Sequence, residues 1–282
     1  MEIKTFGVIG AGQMGNGIAQ VAAMSGLDVI MNDIKDEFVE KGLTTIAKNL
    51  EKSVSKGKLP ADEKDAILKR IQTSVDLKDM AKADFLVEAA TENEPVKLKI
   101  FRDLDEICNE GVILSTNTSS IPIGRIAANT NRPELIIGMH FMNPVPVMKL
   151  VEVIRGIATS EETFQTTWKL SEKFGKTPAE ANDFPGFIAN RILMPMINEA
   201  VFCLYHNVGK ADDIDTVMKL GMNHPMGPLA LADLIGLDTC LAIMETLYDG
   251  FKDSKYRPCP LLRKYVEAGW LGRKTGRGFY SY

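Results

Sequence analysis

The sequence predicts an α/β fold, with a mainly parallel sheet in residues 1–185 and an all-helical domain in residues 186–282. Two observations predict it. Short apolar segments alternate with amphipathic helical segments through the first part of the chain, a pattern typical of parallel sheets. From Phe187 onward the alternation stops, and only helical patterns follow. The length of 282 residues also fits two domains of ordinary size.

Composition and charge exclude several classes of protein. Apolar residues make up 45% of the chain and charged residues 25%, which excludes a largely disordered protein. The 33 basic residues are outnumbered by 37 acidic ones, so a general nucleic-acid or membrane-surface binder is not expected. Apolar runs are all shorter than the roughly 20 residues of a membrane span. We therefore expect no nucleic-acid partner and no membrane partner.

The cysteines and histidines indicate neither a disulfide framework nor a metal site. Cys108, Cys203, Cys240 and Cys259 are widely spaced and form no C-x-x-C pair. We therefore expect reduced thiols in a cytoplasmic protein. The three histidines are not at helical ligand spacing, so no metal is expected.

A glycine-rich segment follows the first predicted strand, 3–9, and begins a helix that ends at Gly26. In this G-x-G-x-x-G pattern the first glycine permits a tight turn and the second lets the backbone approach a pyrophosphate. The third lets the helix pack closely on the strand. The free N–H groups at the helix N-terminus then hold the phosphates. The pattern predicts a Rossmann-type dinucleotide-binding loop formed by Gly10, Gly12, Gln13, Met14 and Gly15.

Asp33 follows the second predicted strand, 28–32, and lies 18 residues after the last glycine of the loop. Its carboxylate can accept hydrogen bonds from both hydroxyls of the adenosine ribose, but it would repel a 2′-phosphate. Residues 34–36 contain no arginine that could reverse this preference. The sequence therefore predicts NAD rather than NADP as the cofactor.

Polar residues also follow the next predicted strands, 85–89, 112–115 and 135–139. In open α/β sheets, ligands bind beyond the carboxyl ends of the strands. We therefore expect a functional site at this edge of the sheet. The polar residues that would form it are Glu92, Asn93, Asn117, Thr118, Ser119 and His140.

His140 is the best candidate for an acid–base group, because histidine exchanges protons near neutral pH. If the chain reverses around Pro146, Glu152 lies opposite His140, since each is six residues from the turn. A carboxylate in the apolar segment 149–154 needs a partner, because burying it unpaired is costly. Paired with His140, it would fix the tautomer and stabilise the imidazolium. A core histidine bonded to a carbonyl and a solvent-facing glutamate are the alternatives.

Residues 36–71 are an insertion between the second and third predicted strands, and their pattern predicts a helical hairpin. Within 41–58 there are five lysines and a single acidic residue. Lys48, Lys52 and Lys56 are spaced by four residues and so share one helix face. This face is either a solvated surface or a binding site for a polyanionic substrate.

Six longer segments resemble a known family. They are GVIGAGQMGNGIAQ at 7–20, STNTSS at 115–120, GMHFMNPVPVMKLVEVI at 138–154, DFPGFIANRILMP at 183–195, GPLALADLIGLDT at 227–239 and GRKTGRGFY at 272–280. Together they resemble the 3-hydroxyacyl-CoA dehydrogenases, in particular the short-chain form that acts on 3-hydroxybutyryl-CoA. The resemblance covers essentially the whole chain and shows no departure at a catalytic position.

The resemblance implies reversible, NAD-dependent oxidation of L-3-hydroxybutyryl-CoA to acetoacetyl-CoA. His140 would exchange the proton of the 3-hydroxyl group, and Glu152 would orient His140. Ser119 and Asn190 would bind the reacting oxygen or the thioester, which places the active site in the cleft between the domains. The resemblance also implies a set of contacts with NAD, made by Glu92, Lys97, Asn117, Ser119, Asn143 and Lys274.

The same resemblance gives the lysine-rich helix a role in binding coenzyme A. Lys56 matches the family's contact with coenzyme A, and Lys52 lies one turn before it. The resemblance also implies a homodimer formed through residues 186–282. Apolar residues that one small bundle would not hide support this expectation: Met194, Met196, Ile197, Val201, Phe202 and Leu204.

Three alternatives remain at this point. A β-hydroxyacid dehydrogenase of the hydroxyisobutyrate kind would use a lysine in the later helices instead of a histidine at a strand end. A relative of L-gulonate dehydrogenase would share the catalytic pattern, but the lysine-rich hairpin argues against it. A non-enzymatic NAD-binding or structural protein is disfavoured because the proposed catalytic residues are all present.

Overall fold

The computed structural model describes residues 2–282 and divides the chain into two units, Met1–Asp183 and Phe184–Tyr282. The first unit contains an eight-stranded sheet with the order β3-β2-β1-β4-β5-β6-β7-β8. All neighbouring strands are parallel except β6 and β7, which are antiparallel. The strands are β1 (Thr5–Ile9), β2 (Asp28–Asn32), β3 (Ile71–Ser74), β4 (Phe85–Glu88), β5 (Ile113–Thr116), β6 (Ile136–Phe141), β7 (Leu150–Arg155) and β8 (Thr177–Asn182).

Within residues 2–183, six α-helices accompany this sheet. They are α1 (Gln13–Met24), α2 (Asp36–Ser55), α3 (Ala61–Lys69), α4 (Glu94–Ile107), α5 (Ile123–Ala127) and α6 (Glu161–Lys173). Strands buried on both faces need continuous apolar sequences, and β4 and β6 are buried at every position. The core of the sheet includes Phe6, Phe85 and Phe141, all at most 2% exposed. The predicted Rossmann-type sheet with a helical hairpin, α2 and α3, is therefore confirmed.

The second unit is helical, as predicted. Its helices are α7 (Ala189–Tyr205), α8 (Ala211–Thr216), α9 (Pro228–Ile235), α10 (Leu237–Phe251) and α11 (Pro260–Glu267), and a π-helical turn, Val217–Gly221, follows α8. Met194, Ile197 and Val201 are at most 1% exposed and pack within the core of this unit. The expectation that these three side chains leave spare apolar surface was therefore wrong, because the other helices of the unit already cover them.

Two local predictions also need correction. The short edge strand β3, which pairs with β2, was missed and its first residue, Ile71, was assigned to the hairpin. Strand β6 extends to Phe141, so His140 lies inside the strand and not after it. The antiparallel register nevertheless places His140 directly opposite Glu152, as the position of the turn predicted.

In residues 2–282, no helix is long and apolar enough to cross a membrane. In the same range, His, Cys, Asp and Glu side chains form no group of three or more that could hold a metal ion. All four cysteines are free thiols.

Two buried carboxylates anchor the C-terminal segment of the second unit. Asp215 is 4% exposed and accepts hydrogen bonds from two backbone N–H groups at the start of α9 and from the Tyr280 hydroxyl, each at 2.9 Å. Asp233 is 1% exposed and accepts hydrogen bonds from the N–H groups of Phe279 and Tyr280, both at 2.9 Å. The chain end is therefore part of the folded unit.

This anchor predicts a loss of stability at alkaline pH. Burial, followed by the hydrogen bond to Asp215, raises the pKa of Tyr280. The folded state therefore retains a proton that the unfolded chain loses above about pH 10, so the free energy of unfolding falls as pH rises through that value. Tyr280→Phe should lower the free energy of unfolding by about 1 kcal/mol at pH 8. It should also reduce the decline between pH 8 and 10.5, measured by urea denaturation.

The control is Tyr248→Phe, because Tyr248 is 39% exposed. This variant should keep the wild-type dependence on pH. Equal declines in wild type and Tyr280→Phe would contradict the prediction.

Candidate active site

The glycine loop between β1 and α1 has the geometry of a phosphate-binding turn. Gly10 has φ +101°, and a Cβ there would lie 2.6 Å from the carbonyl oxygen of Ala89. A Cβ at Gly15 would lie 1.7 Å from the carbonyl oxygen of Gly10, so α1 packs directly on the turn. A Cβ at Gly12 would meet no atom within 4 Å, and no side chain caps the helix N-terminus. The uncapped N–H groups therefore fit a dinucleotide pyrophosphate.

Asp33 is positioned at the end of β2 by the same loop. Its Oδ2 accepts the N–H of Ala11 at 2.8 Å, and its Oδ1 accepts the N–H of Ile34 at 2.7 Å. A carboxylate offers about four acceptor sites, so both oxygens can accept further hydrogen bonds. The side chain is half-buried, and its geometry fits the predicted ribose contact.

A cleft of about 710 Å³ runs from Asp33 along α2 to the segment after β6. Gln13 and Asn143 lie across it from α2 and are joined by a hydrogen bond of 3.2 Å. Side chains of α2 also face the cleft, namely Phe38, Lys41, Thr45 and Asn49. The cleft thus brings together several of the residues predicted to bind the cofactor.

His140 and Glu152 form a buried hydrogen bond across β6 and β7. His140 Nδ1 lies 2.8 Å from Glu152 Oε2, and the two residues are 8% and 2% exposed. The Asn117 side chain, at the end of β5, accepts the N–H of Phe141 at 2.8 Å. Asn117 therefore fixes the backbone beside His140.

Glu92 and Ser119 contact each other. Glu92 Oε1 accepts the N–H of Ser119 at 2.6 Å and the Ser119 hydroxyl at 2.9 Å. Glu92 Oε2 accepts the Thr118 hydroxyl at 2.8 Å. The sequence pointed to both residues, but it contained no sign of this contact, because they are 27 positions apart.

Lys97 lies in the interior, although it was predicted to contact the cofactor. It is 1% exposed and forms an ion pair with Glu88, which is fully buried at the end of β4. Its direct contact with NAD stays a prediction. Glu88 was missed, although an acid inside the apolar segment 85–89 is the same kind of signal that drew attention to Glu152.

The other predicted residues lie on elements that are exposed or belong to the second unit. Lys52 and Lys56 are exposed at the C-terminal end of α2. The acid in this segment, Glu51, is 2.6 Å from Lys64 and so does not neutralise them. In the second unit, Asn190 is half-buried on α7. Lys274 lies 2.6 Å from Asp238.

Comparison with known proteins identifies the family. The family model for the 3-hydroxyacyl-CoA dehydrogenase NAD binding domain matches residues 5–184, and that for the 3-hydroxyacyl-CoA dehydrogenase C-terminal domain matches residues 186–282. The chain belongs to the 3-hydroxyacyl-CoA dehydrogenase family. The resemblance stated from the sequence is therefore confirmed, together with NAD as the cofactor and oxidation–reduction as the reaction class.

Individual relatives within this family are similar over their whole length. A probable 3-hydroxybutyryl-CoA dehydrogenase of Bacillus subtilis is 61% identical over 282 residues, 100% of this chain and 98% of the relative. The 3-hydroxybutyryl-CoA dehydrogenase of Bradyrhizobium diazoefficiens is 57% identical over 280 residues, 99% and 96% of the two chains. The crystal structure of the (S)-3-hydroxybutyryl-CoA dehydrogenase of Ralstonia eutropha has a TM-score of 0.98 at 53% identity, covering 100% and 99%.

Proposed function

We propose that this family member reversibly oxidises L-3-hydroxybutyryl-CoA to acetoacetyl-CoA. The observation that carries the proposal is the buried hydrogen bond of 2.8 Å between His140 and Glu152 at the carboxyl edge of the NAD-binding sheet. Support for a four-carbon acyl group comes from relatives at 57–61% identity whose names specify 3-hydroxybutyryl-CoA.

His140 is the acid–base group of the proposed reaction. Its Nδ1 faces Glu152, so the proton of the 3-hydroxyl group is exchanged at Nε2. In oxidation Nε2 accepts this proton, and in reduction it returns a proton to the forming hydroxyl. Glu152 holds the tautomer and stabilises the imidazolium, since opposite charges attract strongly in a buried site. When NAD is bound, its nicotinamide supplies the redox chemistry.

Most of the proposed cofactor contacts lie in the first unit. The backbone of Gly10, Gly12, Gln13, Met14 and Gly15 would hold the pyrophosphate, and Asp33 would bind the adenosine ribose. The remaining proposed contacts are Glu92, Lys97, Asn117, Ser119 and Asn143 of the first unit and Lys274 of the second. Ser119 and Asn190 would bind the reacting oxygen or the thioester and so orient the acyl group.

The proposed binding site for coenzyme A is the exposed end of α2. Lys56 and Lys52 would contact the 3′-phosphate and pyrophosphate, because ammonium groups bind phosphates through charge-assisted hydrogen bonds. In residues 2–282, neither lysine has a carboxylate within 4 Å. Both charges are therefore available to an anionic ligand.

We also propose a homodimer formed through residues 186–282. The apolar side chains that support it differ from those first considered. They are exposed on the second unit, namely Ile192 (67%), Val208 (74%), Leu220 (82%) and Met222 (60%). Covering such side chains in a dimer would remove apolar surface from water.

The direct test of the proposed function is oxidation of NADH in the presence of acetoacetyl-CoA, free acetoacetate or the aldehyde of hydroxyisobutyrate. We expect turnover with acetoacetyl-CoA and little turnover with the two substrates that lack coenzyme A. Absence of turnover with acetoacetyl-CoA would refute it.

His140→Gln should lower kcat by at least about 100-fold, the lower end of the contribution of general acid–base catalysis. NADH should still bind, because His140 acts on the substrate proton. The control is His206→Gln, at an exposed position in the second unit. Near-normal kcat in His140→Gln would show that the proton is exchanged elsewhere.

Lys56→Ala should raise the KM for acetoacetyl-CoA about threefold to tenfold, since a factor of ten corresponds to 1.4 kcal/mol of binding free energy. Its kcat should stay unchanged, because Lys56 does not contact the reacting atoms. Lys78→Ala removes the same charge from another exposed position and should leave KM unchanged. Equal affinity of wild type and Lys56→Ala for coenzyme A esters would contradict the assignment.

A further inference from the structure

The buried ion pair between Glu88 and Lys97 joins three elements at the ligand-binding edge of the sheet. Glu88 ends β4, Lys97 lies in the first turns of α4, and Thr116 ends β5. The Thr116 hydroxyl donates to Glu88 Oε2 at 3.0 Å and lies 3.3 Å from Lys97 Nζ. The residues that follow β4 and β5 include proposed site residues, so the ion pair lies directly beside the proposed site.

One branch of contacts runs from this pair to the segment after β4. Glu88 Oε1 accepts the N–H groups of Ala90 at 2.9 Å and of Thr91 at 3.3 Å. A Cβ at Gly10 would lie within 2.7 Å of the backbone of Ala89 and Ala90. The Glu88 carboxylate thus holds the turn that packs against the glycine loop.

A second branch runs from Lys97 to Ser119 through Glu92. Lys97 Nζ lies 3.9 Å from Glu92 Oε2, and Glu92 in turn binds both the N–H and the hydroxyl of Ser119. The Thr118 N–H also donates to the Thr116 hydroxyl at 3.2 Å. In residues 2–282, Lys97 provides the only ammonium or guanidinium group within 4 Å of either glutamate.

Stability alone does not account for this arrangement. Replacing a buried ion pair with apolar residues is often neutral or stabilising, whereas removing one partner is strongly destabilising. A second nearly buried pair, Arg132 and Asp105, lies at the other end of α4 and binds the backbone there. In residues 2–282, neither member of that pair makes a hydrogen bond or ion pair with a proposed site residue, so the pair serves as a matched control.

We propose that Glu88 and Lys97 are positioning residues, which hold Glu92 and thereby set the position of Ser119 in the active site. The role of Ser119 toward substrate rests on the proposed function. The contacts that hold Ser119 in the protein do not depend on that function. The inference can therefore be tested with and without substrate.

The test without substrate is amide hydrogen exchange of Lys97→Met, followed by NMR. Removing the ammonium should loosen Glu92 and increase exchange at the Ser119, Ala90 and Thr91 amides by at least tenfold. The Phe141 amide should be unchanged, since it donates to Asn117. Unchanged exchange at Ser119, or equal increases at Ser119 and Phe141, would overturn the proposal whatever the substrate is.

The test with substrate measures kcat at saturating NADH. Lys97→Met should lower kcat for acetoacetyl-CoA at least tenfold, because Ser119 is no longer held in position. A normal kcat at saturating NADH would overturn the proposal. If the wild type does not turn over acetoacetyl-CoA, but the Ser119 amide exchanges faster in Lys97→Met, the proposed function is refuted and the positioning role is not.

Two further variants separate positioning from stability. The double variant Glu88→Gln/Lys97→Met removes both charges. Relative to Lys97→Met, it should regain thermal stability but not kcat, and recovery of both would overturn the proposal. Asp105→Asn breaks the control ion pair and should lower the Tm. At temperatures well below that Tm, its kcat should be unchanged.

If Lys97→Met does not fold, Thr116→Val provides a second test because it keeps the side-chain shape. This variant should also increase hydrogen exchange at the Ser119 amide. Unchanged exchange there would count against the proposal.

Discussion

The antiparallel pairing of β6 with β7 is the constraint on which the candidate active site depends. It places His140 opposite Glu152 inside a sheet whose other neighbouring strands are parallel. The reversal also creates the segment 142–149, which forms one wall of the cleft. The buried Lys176 ammonium donates to the carbonyls of Val145 at 2.5 Å and Met148 at 2.7 Å. The same reversal thus places His140 beside Glu152 and forms a wall of the cleft.

The parallel part of the sheet supplies the remaining polar groups, and each is held by hydrogen bonds within the protein. Asp33 is fixed by two backbone N–H groups, Asn117 by Phe141 and Glu92 by Ser119. Side chains held in this way lose little freedom when a ligand binds, which favours catalysis by positioning. The Glu88–Lys97 pair extends this arrangement one layer deeper into the protein.

Much of the fold and of the candidate site could be predicted from the sequence, because it depends on local patterns. The apolar runs gave the long strands, and the distance of His140 and Glu152 from Pro146 gave their register. Strand β3 could not be found because its four residues include only one apolar side chain, Ile71. It forms because the edge of β2 offers backbone partners.

The burial of Lys97 and the contact of Glu92 with Ser119 also could not be predicted from the sequence. A lysine on an amphipathic helix is usually exposed, and nothing in the local pattern shows that the Glu88 carboxylate lies behind this one. Glu92 and Ser119 belong to segments that meet only because β4 and β5 are neighbours in the sheet. Patterns within one element predict its own faces, whereas these contacts depend on how several elements pack.

We propose that Glu152 acts on catalysis through the charge it places beside His140, and the variant Glu152→Gln tests this role. Glutamine can keep a hydrogen bond to Nδ1, but it cannot stabilise the imidazolium. We expect Glu152→Gln to lower kcat for acetoacetyl-CoA by about 100-fold or more, with the Kd for NADH and the circular dichroism spectrum unchanged. A kcat close to that of wild type would show that catalysis does not require the charge of Glu152.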